Sequence, residues 1–185
     1  MEGLKRYDLL TQIECDTIVR EILSLEDAVK RLGPDIYGGT SGDSLTGRYL
    51  YYNFLNIPEM NTILEPKLKE LFGPCVVHCW VNIFRQGEGI DEHRHISDKS
   101  TNTVLTASGN IFLYGDPTTG TYYEGVKHDN KVGELSLFPS DMLHGVPKNT
   151  TGDMRISMAI DVHTGDEVLL NNVVSEMPKR FFYIR

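Results

Sequence analysis

The spacing of hydrophobic residues changes along this chain, from a helical period in the first part to a strand period after residue 75. Thr11 and Glu14 form a Ser/Thr-x-x-Glu capping box, a signal for the start of a helix. Apolar residues then recur three and four positions apart, namely Ile18, Ile22, Leu25, Val29 and Leu32. Gly33 and Pro34 end this pattern, so we predict one amphipathic helix between these signals.

The stretch between residues 38 and 72 has three parts with different patterns. Gly38 to Gly47 is polar and glycine-rich, which predicts a loop and leaves open whether it is a plain connection or a lid over a site. Arg48 to Phe54 is aromatic, which favours a strand. Pro58 to Phe72 predicts a second helix, with Pro66 inside it and Gly73 at its end.

After residue 75 the pattern predicts strands. Val76 to Phe84 is apolar on both alternating faces, as expected for a central strand covered on both sides. Further short strands are predicted at Thr103 to Ala107, Asn110 to Tyr114, Thr121 to Val126, Gly133 to Phe138 and Arg155 to Val162. Short strands at this spacing are typical of an antiparallel sandwich or barrel. The tail from Val168 to Arg185 adds a predicted edge strand.

The predicted strand from Arg155 to Val162 alternates with period two. Its even-numbered residues are all large and apolar, which indicates a core face. Its odd-numbered residues are an arginine, a serine, an alanine and an aspartate, which suits the wall of a cavity. An arginine facing a cavity needs an anion, because a buried unpaired charge costs several kcal/mol. A ligand carboxylate or phosphate is therefore expected if no acidic side chain supplies that anion.

Length and composition indicate a single domain over residues 1–185, with helical support at 1–75, a β core at 76–162 and a C-terminal extension at 163–185. The fold class is therefore mainly β with supporting N-terminal helices. A net charge of −8 and the lack of a lysine and arginine cluster argue against nucleic-acid binding. The sequence does not indicate an oligomeric state.

The cellular setting is predicted from cysteine usage and from apolar runs. Cys15, Cys75 and Cys79 form no CxxC pair, which favours reduced thiols. The chain starts without the apolar run of a signal peptide and contains no run of about 18 apolar residues that would span a membrane. We expect a cytoplasmic protein with no membrane association.

Three histidines carry the candidate chemistry. His93 and His95 are two residues apart, so an extended backbone places both on one face, together with Asp91. His144 follows an apolar strand and a Pro-Ser-Asp turn, eleven residues before Arg155. A His-x-His pair is a weak motif alone, but with one distant histidine it provides three ligands on one side of a metal. Such a set leaves coordination positions open, as catalytic sites require.

This combination resembles the 2-oxoglutarate and Fe(II)-dependent oxygenase superfamily, whose fold is a double-stranded β-helix, or jelly roll. The resemblance extends from Val76 to Val162. It implies three metal ligands, His93, His95 and His144. It also implies that Arg155 binds the far carboxylate of 2-oxoglutarate, with Ser157 as its hydroxyl partner. Asn82 and Tyr114 are candidates to hydrogen-bond this cosubstrate, although each is also an ordinary β-strand residue.

The sequence departs from the pattern of the superfamily at His95, where the family has an aspartate or glutamate. Imidazole suits iron, but three neutral imidazoles leave Fe(II) with its full charge. Two other arrangements stay open. In one, Asp91 supplies a carboxylate together with His93 or His95, and in the other His95 does not bind the metal and leaves a vacant position.

The resemblance implies the cofactors Fe(II), 2-oxoglutarate and dioxygen, and a reaction in which 2-oxoglutarate loses CO2 to give succinate while a substrate C–H bond is hydroxylated. The substrate is a small molecule or a peptide whose identity loop composition does not encode. Two other functions compete with this one. A cupin-type three-histidine dioxygenase uses no 2-oxoglutarate, and a jelly-roll binding module has no catalytic metal.

Overall fold

Three helices and ten strands make up the described part of the chain in the computed structural model, which covers residues 3–33, 45–48, 51–95 and 104–185. The helices are α1 (Gln12–Lys30), α2 (Pro58–Phe72) and α3 (Glu167–Glu176). The strands are β1 (Lys5–Asp8), β2 (Cys75–Phe84), β3 (Ile90–His93), β4 (Val104–Tyr114), β5 (Thr121–Tyr123), β6 (Val126–His128), β7 (Glu134–Phe138), β8 (His144–Val146), β9 (Arg155–Thr164) and β10 (Phe182–Ile184).

The strands form two antiparallel sheets. The larger has six strands in the order β1-β7-β4-β9-β2-β10, and the smaller has four in the order β3-β8-β5-β6. Strands that are distant in the chain, such as β2 and β9, are neighbours in the larger sheet. This is a jelly-roll sandwich with α1 and α2 on one side, so the predicted fold class is confirmed.

The main hydrophobic core lies between helices α1 and α2 and the larger sheet. Ile18 and Ile22 of α1 and Leu64 and Leu68 of α2 are fully buried in it. The core face of β9 contributes four residues that are also fully buried, namely Ile156, Met158, Ile160 and Val162. The other face of the larger sheet looks toward the smaller sheet and contributes residues to a cavity. The helices therefore hold one side of the sheet that carries the candidate site on its other side.

Both early helices are confirmed. Thr11 is the N-cap of α1, and the two hydrogen bonds of its capping box with Glu14 are present. The helix ends earlier than the apolar pattern predicted, since Arg31 is its C-cap and Leu32 is 49% exposed. Helix α2 has the predicted bounds and includes Pro66.

The predicted strand from Arg48 to Phe54 is wrong in the described part of that stretch, where Leu45–Arg48 and Phe54–Asn56 are 3₁₀ turns. Asn53 explains the difference, because its side-chain oxygen accepts a hydrogen bond from the Leu55 N–H and its amide donates to two backbone carbonyls. Such local bonds compete with a strand ladder. Most of the predicted loop from residue 38 to 47 lies outside the described residues.

The two strands predicted at 103–107 and 110–114 are one continuous strand, β4. Gly109 lies within it where a Cβ atom would come within 3.0 Å of Leu135 and Ile160 side chains. Gly109 therefore allows close packing of the neighbouring side chains and does not mark a turn. The opposite error occurs at 121–126, where Glu124 and Gly125 adopt positive φ angles of 47° and 75° in a tight turn between β5 and β6.

The C-terminal segment contains both a helix and a strand. Asp166 caps α3 by accepting a hydrogen bond from the Val168 N–H, so the apolar residues after it are helical. The predicted edge strand is present as β10, which pairs with β2. The short strand β1 was not predicted. No helix in the described ranges is long and apolar enough to cross a membrane.

Candidate metal centre

Three histidine side chains converge where β3 and β8 pair. His93 and His144 are directly opposite each other in these two strands. His95 follows the end of β3, and its backbone N–H donates to the Ser140 carbonyl, 2.8 Å away. One ring nitrogen from each histidine lies within 4.8 Å of the others. Because a metal–imidazole bond is about 2.1 Å long, small side-chain movements suffice to bring all three onto one ion.

The inward orientation of His93 and His144 is set by their own backbone. The Nδ1 atom of His93 lies 2.8 Å from the Asp91 carbonyl oxygen, and that of His144 lies 2.9 Å from the Met142 carbonyl oxygen. A carbonyl only accepts hydrogen bonds, so Nδ1 must carry the proton in each neutral ring. The Nε2 atom of each ring is therefore the unprotonated nitrogen, the form that metal binding requires.

His95 has a different partner. Its Nδ1 atom lies 2.6 Å from Oδ1 of Asp161 and 2.8 Å from Oγ of Ser108. The Ser108 hydroxyl also donates to Oδ1 of Asp161, at 2.6 Å. The carboxylate accepts a hydrogen bond from the Nδ1–H group of the neutral ring. The Nε2 atom of His95 therefore carries the lone pair that can bind a metal. Asp161 was predicted to face the cavity, but its contact with His95 was not.

Burial keeps two of these imidazoles neutral. The pKa of His144 is lowered to about 3, first by burial and then by the neighbouring His95 and His93 rings. Burial also lowers the pKa of His93. A metal ion binds the neutral form of imidazole, so neither ring has to lose a proton at neutral pH. The site is thus prepared for a cation.

Asp91 is exposed and does not belong to the group of three histidines. It contributes its backbone carbonyl to the orientation of His93. The carboxylate of Asp161, and not that of Asp91, contacts this group: it hydrogen-bonds the Nδ1 atom of His95.

A cavity of about 280 Å³ extends from the three histidines into the space between the sheets. This volume is close to the lower end of the range for small-ligand pockets, about 300–1,000 Å³. Besides the histidines, its described walls include Trp80, Asn82, Thr121, Phe138, Asp161 and Arg180. The pocket thus combines aromatic surface with a few polar groups.

Arg155 lies behind the cavity wall. Its side chain is fully buried, and its guanidinium donates to Ser157 Oγ at 3.0 Å and to Thr121 Oγ1 at 3.1 Å. The rings of Phe84 and Phe112 flank it at 5.8 and 5.5 Å. Within the described ranges, no carboxylate forms a salt bridge with Arg155 and its Nε has no hydrogen-bond partner. Burial lowers its pKa to about 10, so it remains cationic.

The route from the cavity to Arg155 passes Thr121. This residue lines the cavity and lies two positions before Tyr123 in β5, and Tyr123 is the direct partner of His144 in β8. Residues two apart in a strand are about 7 Å apart on the same face. A small molecule can therefore reach from the histidines to Thr121. The Arg155 cation, which donates to Thr121, would then lie at the end of the molecule that is far from the histidines.

The two other predicted cosubstrate residues have different positions. Asn82 lines the cavity, and its side-chain oxygen accepts a hydrogen bond from the Thr46 hydroxyl. Tyr114 is 44% exposed and is not part of the described cavity wall. The pairing of β4 with β9 is irregular between Phe112 and Tyr114, which places Tyr114 at the exposed end of the strand.

Sequence reasoning assigned no role in the site to three of its residues. Asp161 shares the cavity face of β9 with Arg155, and that period-two pattern was a signal for it. Thr121 was assigned only to a strand, and a threonine in a strand carries no specific signal. Arg180 reaches the cavity from the C-terminal extension, where nothing in the local sequence marks it.

The two facing antiparallel sheets, with histidines between strands of the smaller sheet, define a double-stranded β-helix of the kind found in 2-oxoglutarate oxygenases. Comparison of the sequence with known protein families gives no match, and comparison with curated proteins gives none either. The comparison with solved structures therefore carries the assignment of the fold.

Three solved structures illustrate this similarity. A viral collagen prolyl hydroxylase from Paramecium bursaria Chlorella virus-1, in complex with 2-oxoglutarate, has a TM-score of 0.62 and 14% identity over 89% of this chain and 97% of its own. A Trichoplax adhaerens prolyl hydroxylase with a hypoxia-inducible-factor peptide has a TM-score of 0.59 and 15% identity over 93% and 87%. HygX from Streptomyces hygroscopicus, with nickel and 2-oxoglutarate bound, has a TM-score of 0.59 and 11% identity over 87% and 82%.

Proposed function

We propose that this protein is a non-haem Fe(II)- and 2-oxoglutarate-dependent dioxygenase that couples the oxidative decarboxylation of 2-oxoglutarate to hydroxylation of a substrate. The observation that supports it most is the combination of three inward-facing imidazoles with a fully buried guanidinium that has no carboxylate partner in the described residues. The solved structures with a similar fold include two with 2-oxoglutarate bound.

The donor set fits iron. We assign His93, His95 and His144 as its ligands, because imidazole suits Fe(II) and one ring nitrogen from each histidine lies within 4.8 Å of the others. Three ligands on one side would leave further coordination positions open. Fe(II), with 2-oxoglutarate and dioxygen, would supply the oxidising chemistry, and the protein orients the reactants and excludes water.

The anion site fits the far carboxylate of 2-oxoglutarate. A buried arginine presents several N–H donors in a plane, which suits a carboxylate. Arg155 has Ser157 and Thr121 as its present hydroxyl partners, and these two hydroxyls can also donate to the incoming anion. We therefore assign Arg155 and Ser157 to the cosubstrate, together with Thr121 and with Asn82 on the cavity wall. Tyr114 is not retained in this assignment.

The substrate we propose is a small molecule or a peptide. A cavity of about 280 Å³ admits a small molecule or one side chain of a peptide, and one similar solved structure is a complex with a peptide fragment. The net charge of −8 continues to argue against nucleic acid. The single-domain organisation and the cytoplasmic location stay predictions.

The function is tested by anaerobic titration with Fe(II), with and without 2-oxoglutarate, while the visible absorption spectrum is recorded. We expect one Fe(II) per chain and a metal-to-ligand charge-transfer band only when 2-oxoglutarate is added. Arg155→Met should keep Fe(II) binding but weaken 2-oxoglutarate binding about 100-fold, because loss of one partner of a buried charge pair costs about 2–5 kcal/mol. Arg6→Met, which removes an arginine of β1 outside the cavity, is the control and should retain the band.

The same titration separates the competing functions. Fe(II) uptake with no band at any 2-oxoglutarate concentration would favour a cupin-type three-histidine enzyme. A wild-type protein that takes up no Fe(II) would favour a jelly-roll binding module. A succinate assay against a panel of small molecules and peptides then identifies the substrate class.

A further inference from the structure

The carboxylate behind His95 distinguishes this histidine from the other two. His93 and His144 each hydrogen-bond through Nδ1 to the backbone carbonyl two residues earlier in the chain. His95 instead meets the side chain of Asp161, 66 residues later, at 2.6 Å. A carboxylate from a distant strand therefore hydrogen-bonds the histidine at the position where the 2-oxoglutarate oxygenases that this chain resembles have an acidic ligand.

Asp161 is held in place from both neighbouring strands. It lies on β9 between β4 and β2, directly opposite Ser108 and His78. Its Oδ1 accepts hydrogen bonds from the Ser108 hydroxyl and, at the same distance of 2.6 Å, from the His95 ring. Its side chain is only 14% exposed, and across residues 3–33, 45–48, 51–95 and 104–185 it makes no salt bridge to a lysine or arginine.

A carboxylate in this position needs a cationic partner. A buried carboxylate without compensation costs several kcal/mol. A metal ion on the far side of His95 would provide the missing positive charge, transmitted through the imidazole.

We propose that Asp161, acting through His95, replaces the carboxylate ligand that the site lacks. This inference rests on the proposed iron site. Three neutral imidazoles, Fe(II) and doubly charged 2-oxoglutarate sum to zero charge, whereas addition of the Asp161 carboxylate gives −1, the sum that a site with two histidines and one carboxylate ligand would have. Asp161 is a positioning residue that orients the His95 ring and makes its Nε2 a stronger donor, and Ser108 holds the carboxylate in line.

The test replaces charge while keeping shape. Asp161→Asn retains an oxygen that can accept the Nδ1 proton, so it removes the negative charge and little else. We expect Fe(II) and Co(II) affinity to fall about 10–100-fold, which is the usual effect of mutating a hydrogen-bond partner of a metal-binding histidine. The charge-transfer band with 2-oxoglutarate should shift to higher energy, because a less electron-rich metal gives up an electron less readily. Thr106→Ala, at an exposed position of β4, is the control and should change neither quantity.

A second variant, His95→Asp, serves as a background that separates the effect of the Asp161 charge from a structural role of Asp161. In His95→Asp the carboxylate moves into the ligand position, and Asp161 then faces a second acid. We expect Asp161→Asn to leave metal affinity unchanged or to raise it in this background, opposite to its effect in the wild-type protein. A role confined to holding β9 against the segment after β3 would instead give a similar loss in both backgrounds, accompanied by a lower free energy of unfolding of the metal-free protein.

The outcomes distinguish this inference from the proposed function. If wild-type protein binds Fe(II) and gives the 2-oxoglutarate band while Asp161→Asn alters neither affinity nor band energy, the inference is wrong and the proposed function stands. If Co(II) affinity depends on Asp161 in the predicted way but no 2-oxoglutarate band forms, the inference stands and the cosubstrate assignment is wrong. Absence of any metal binding by the wild-type protein overturns both.

Discussion

The two faces of strand β9 are both buried, yet they bury opposite kinds of side chain. The face toward the helices consists of Ile156, Met158, Ile160 and Val162, which all belong to the main hydrophobic core. The face toward the smaller sheet includes an arginine, a serine and an aspartate, and the arginine and serine are as fully buried as the core residues. One backbone segment therefore carries the interactions that stabilise the fold and those that we assign to its chemistry.

The difference shows which side supplies stability. Burial of apolar side chains stabilises by about 25 cal/mol per Å². Among the described residues, Arg155 has no carboxylate partner and Asp161 has no lysine or arginine partner, so burial of these two groups costs free energy unless a ligand compensates it. The cavity face is thus tolerated because the core face and the helices hold the sheet, and the proposed metal and anion would compensate its cost on binding. Substitutions on the two faces should separate stability from binding.

The largest effect is expected for a metal ligand. His93→Ala removes one of three donors and should weaken Fe(II) binding by about 1,000-fold or more, which corresponds to about 4 kcal/mol. The free energy of unfolding of the metal-free protein should change by less than about 1 kcal/mol, because His93 is only partly buried. Calorimetric titration and urea unfolding measure the two quantities. His128→Ala, outside the group of three histidines, is the control, and an unchanged Fe(II) affinity in His93→Ala would contradict the assignment of the site.

The next effect concerns stability alone. Met158→Ala, on the core face, should lower the free energy of unfolding by about 3 kcal/mol, because it leaves a cavity at a fully buried position. Ile156→Val, on the same face, should cost only about 1 kcal/mol. Metal affinity measured on the folded protein should stay within about twofold of wild type for both. A large loss of metal affinity in Met158→Ala would show that the two faces are coupled.

A smaller, pH-dependent effect is expected for the ion pair that joins α1 to the end of β2. Arg85 donates to both carboxylate oxygens of Glu26, at 2.9 and 2.8 Å, and Lys30 lies 3.1 Å away. Burial raises the pKa of Glu26, but these two cations outweigh it and lower the pKa below its ordinary 4.5. The lowered pKa in the folded state means that the ion pair stabilises the fold above pH 4.5 and loses this effect as pH falls through the folded pKa.

We therefore expect Glu26→Gln to lower the free energy of unfolding by about 1–2 kcal/mol at pH 7, a value reduced by the exposure of Arg85. The difference from wild type should shrink as pH falls below 4.5. Urea unfolding of both proteins between pH 7 and pH 3 measures it. A difference that stays constant over this range would show that the charge of Glu26 contributes nothing.

The smallest effect on stability is expected for a substitution on the cavity face of β9. Arg155→Met replaces a buried charge by an apolar side chain between two phenylalanine rings. Without 2-oxoglutarate, its free energy of unfolding should equal that of wild type or exceed it by about 1 kcal/mol, because replacing buried charges by apolar groups is often neutral or stabilising. Thermal unfolding with and without 2-oxoglutarate measures it, and only wild type should be stabilised by the ligand. A large loss of stability in the ligand-free variant would mean that Arg155 is a structural residue.

Local patterns in the sequence determined the two early helices, the alternation of β9 and the residue types of the candidate site. These features depend on neighbours a few positions away, which is why the capping box of Thr11 and the period-two pattern after Arg155 were readable. Local patterns failed where tertiary packing decided the conformation. Gly109 continues a strand because its neighbours in the sheet leave no space for a side chain, and the aromatic stretch after Arg48 is not a strand because the Asn53 side chain bonds the backbone around it.

The arrangement of the site was decided by sheet pairing. The sequence determined that His93, His95 and His144 were candidates, but only the register of β3 against β8 places His93 opposite His144, 51 residues away. The contact between His95 and Asp161 likewise depends on His95, two residues after β3, lying against the centre of the larger sheet. The physical reason is that periodicity reports which face of a strand is buried. It does not report what lies against that face, because that partner is chosen by packing between distant parts of the chain.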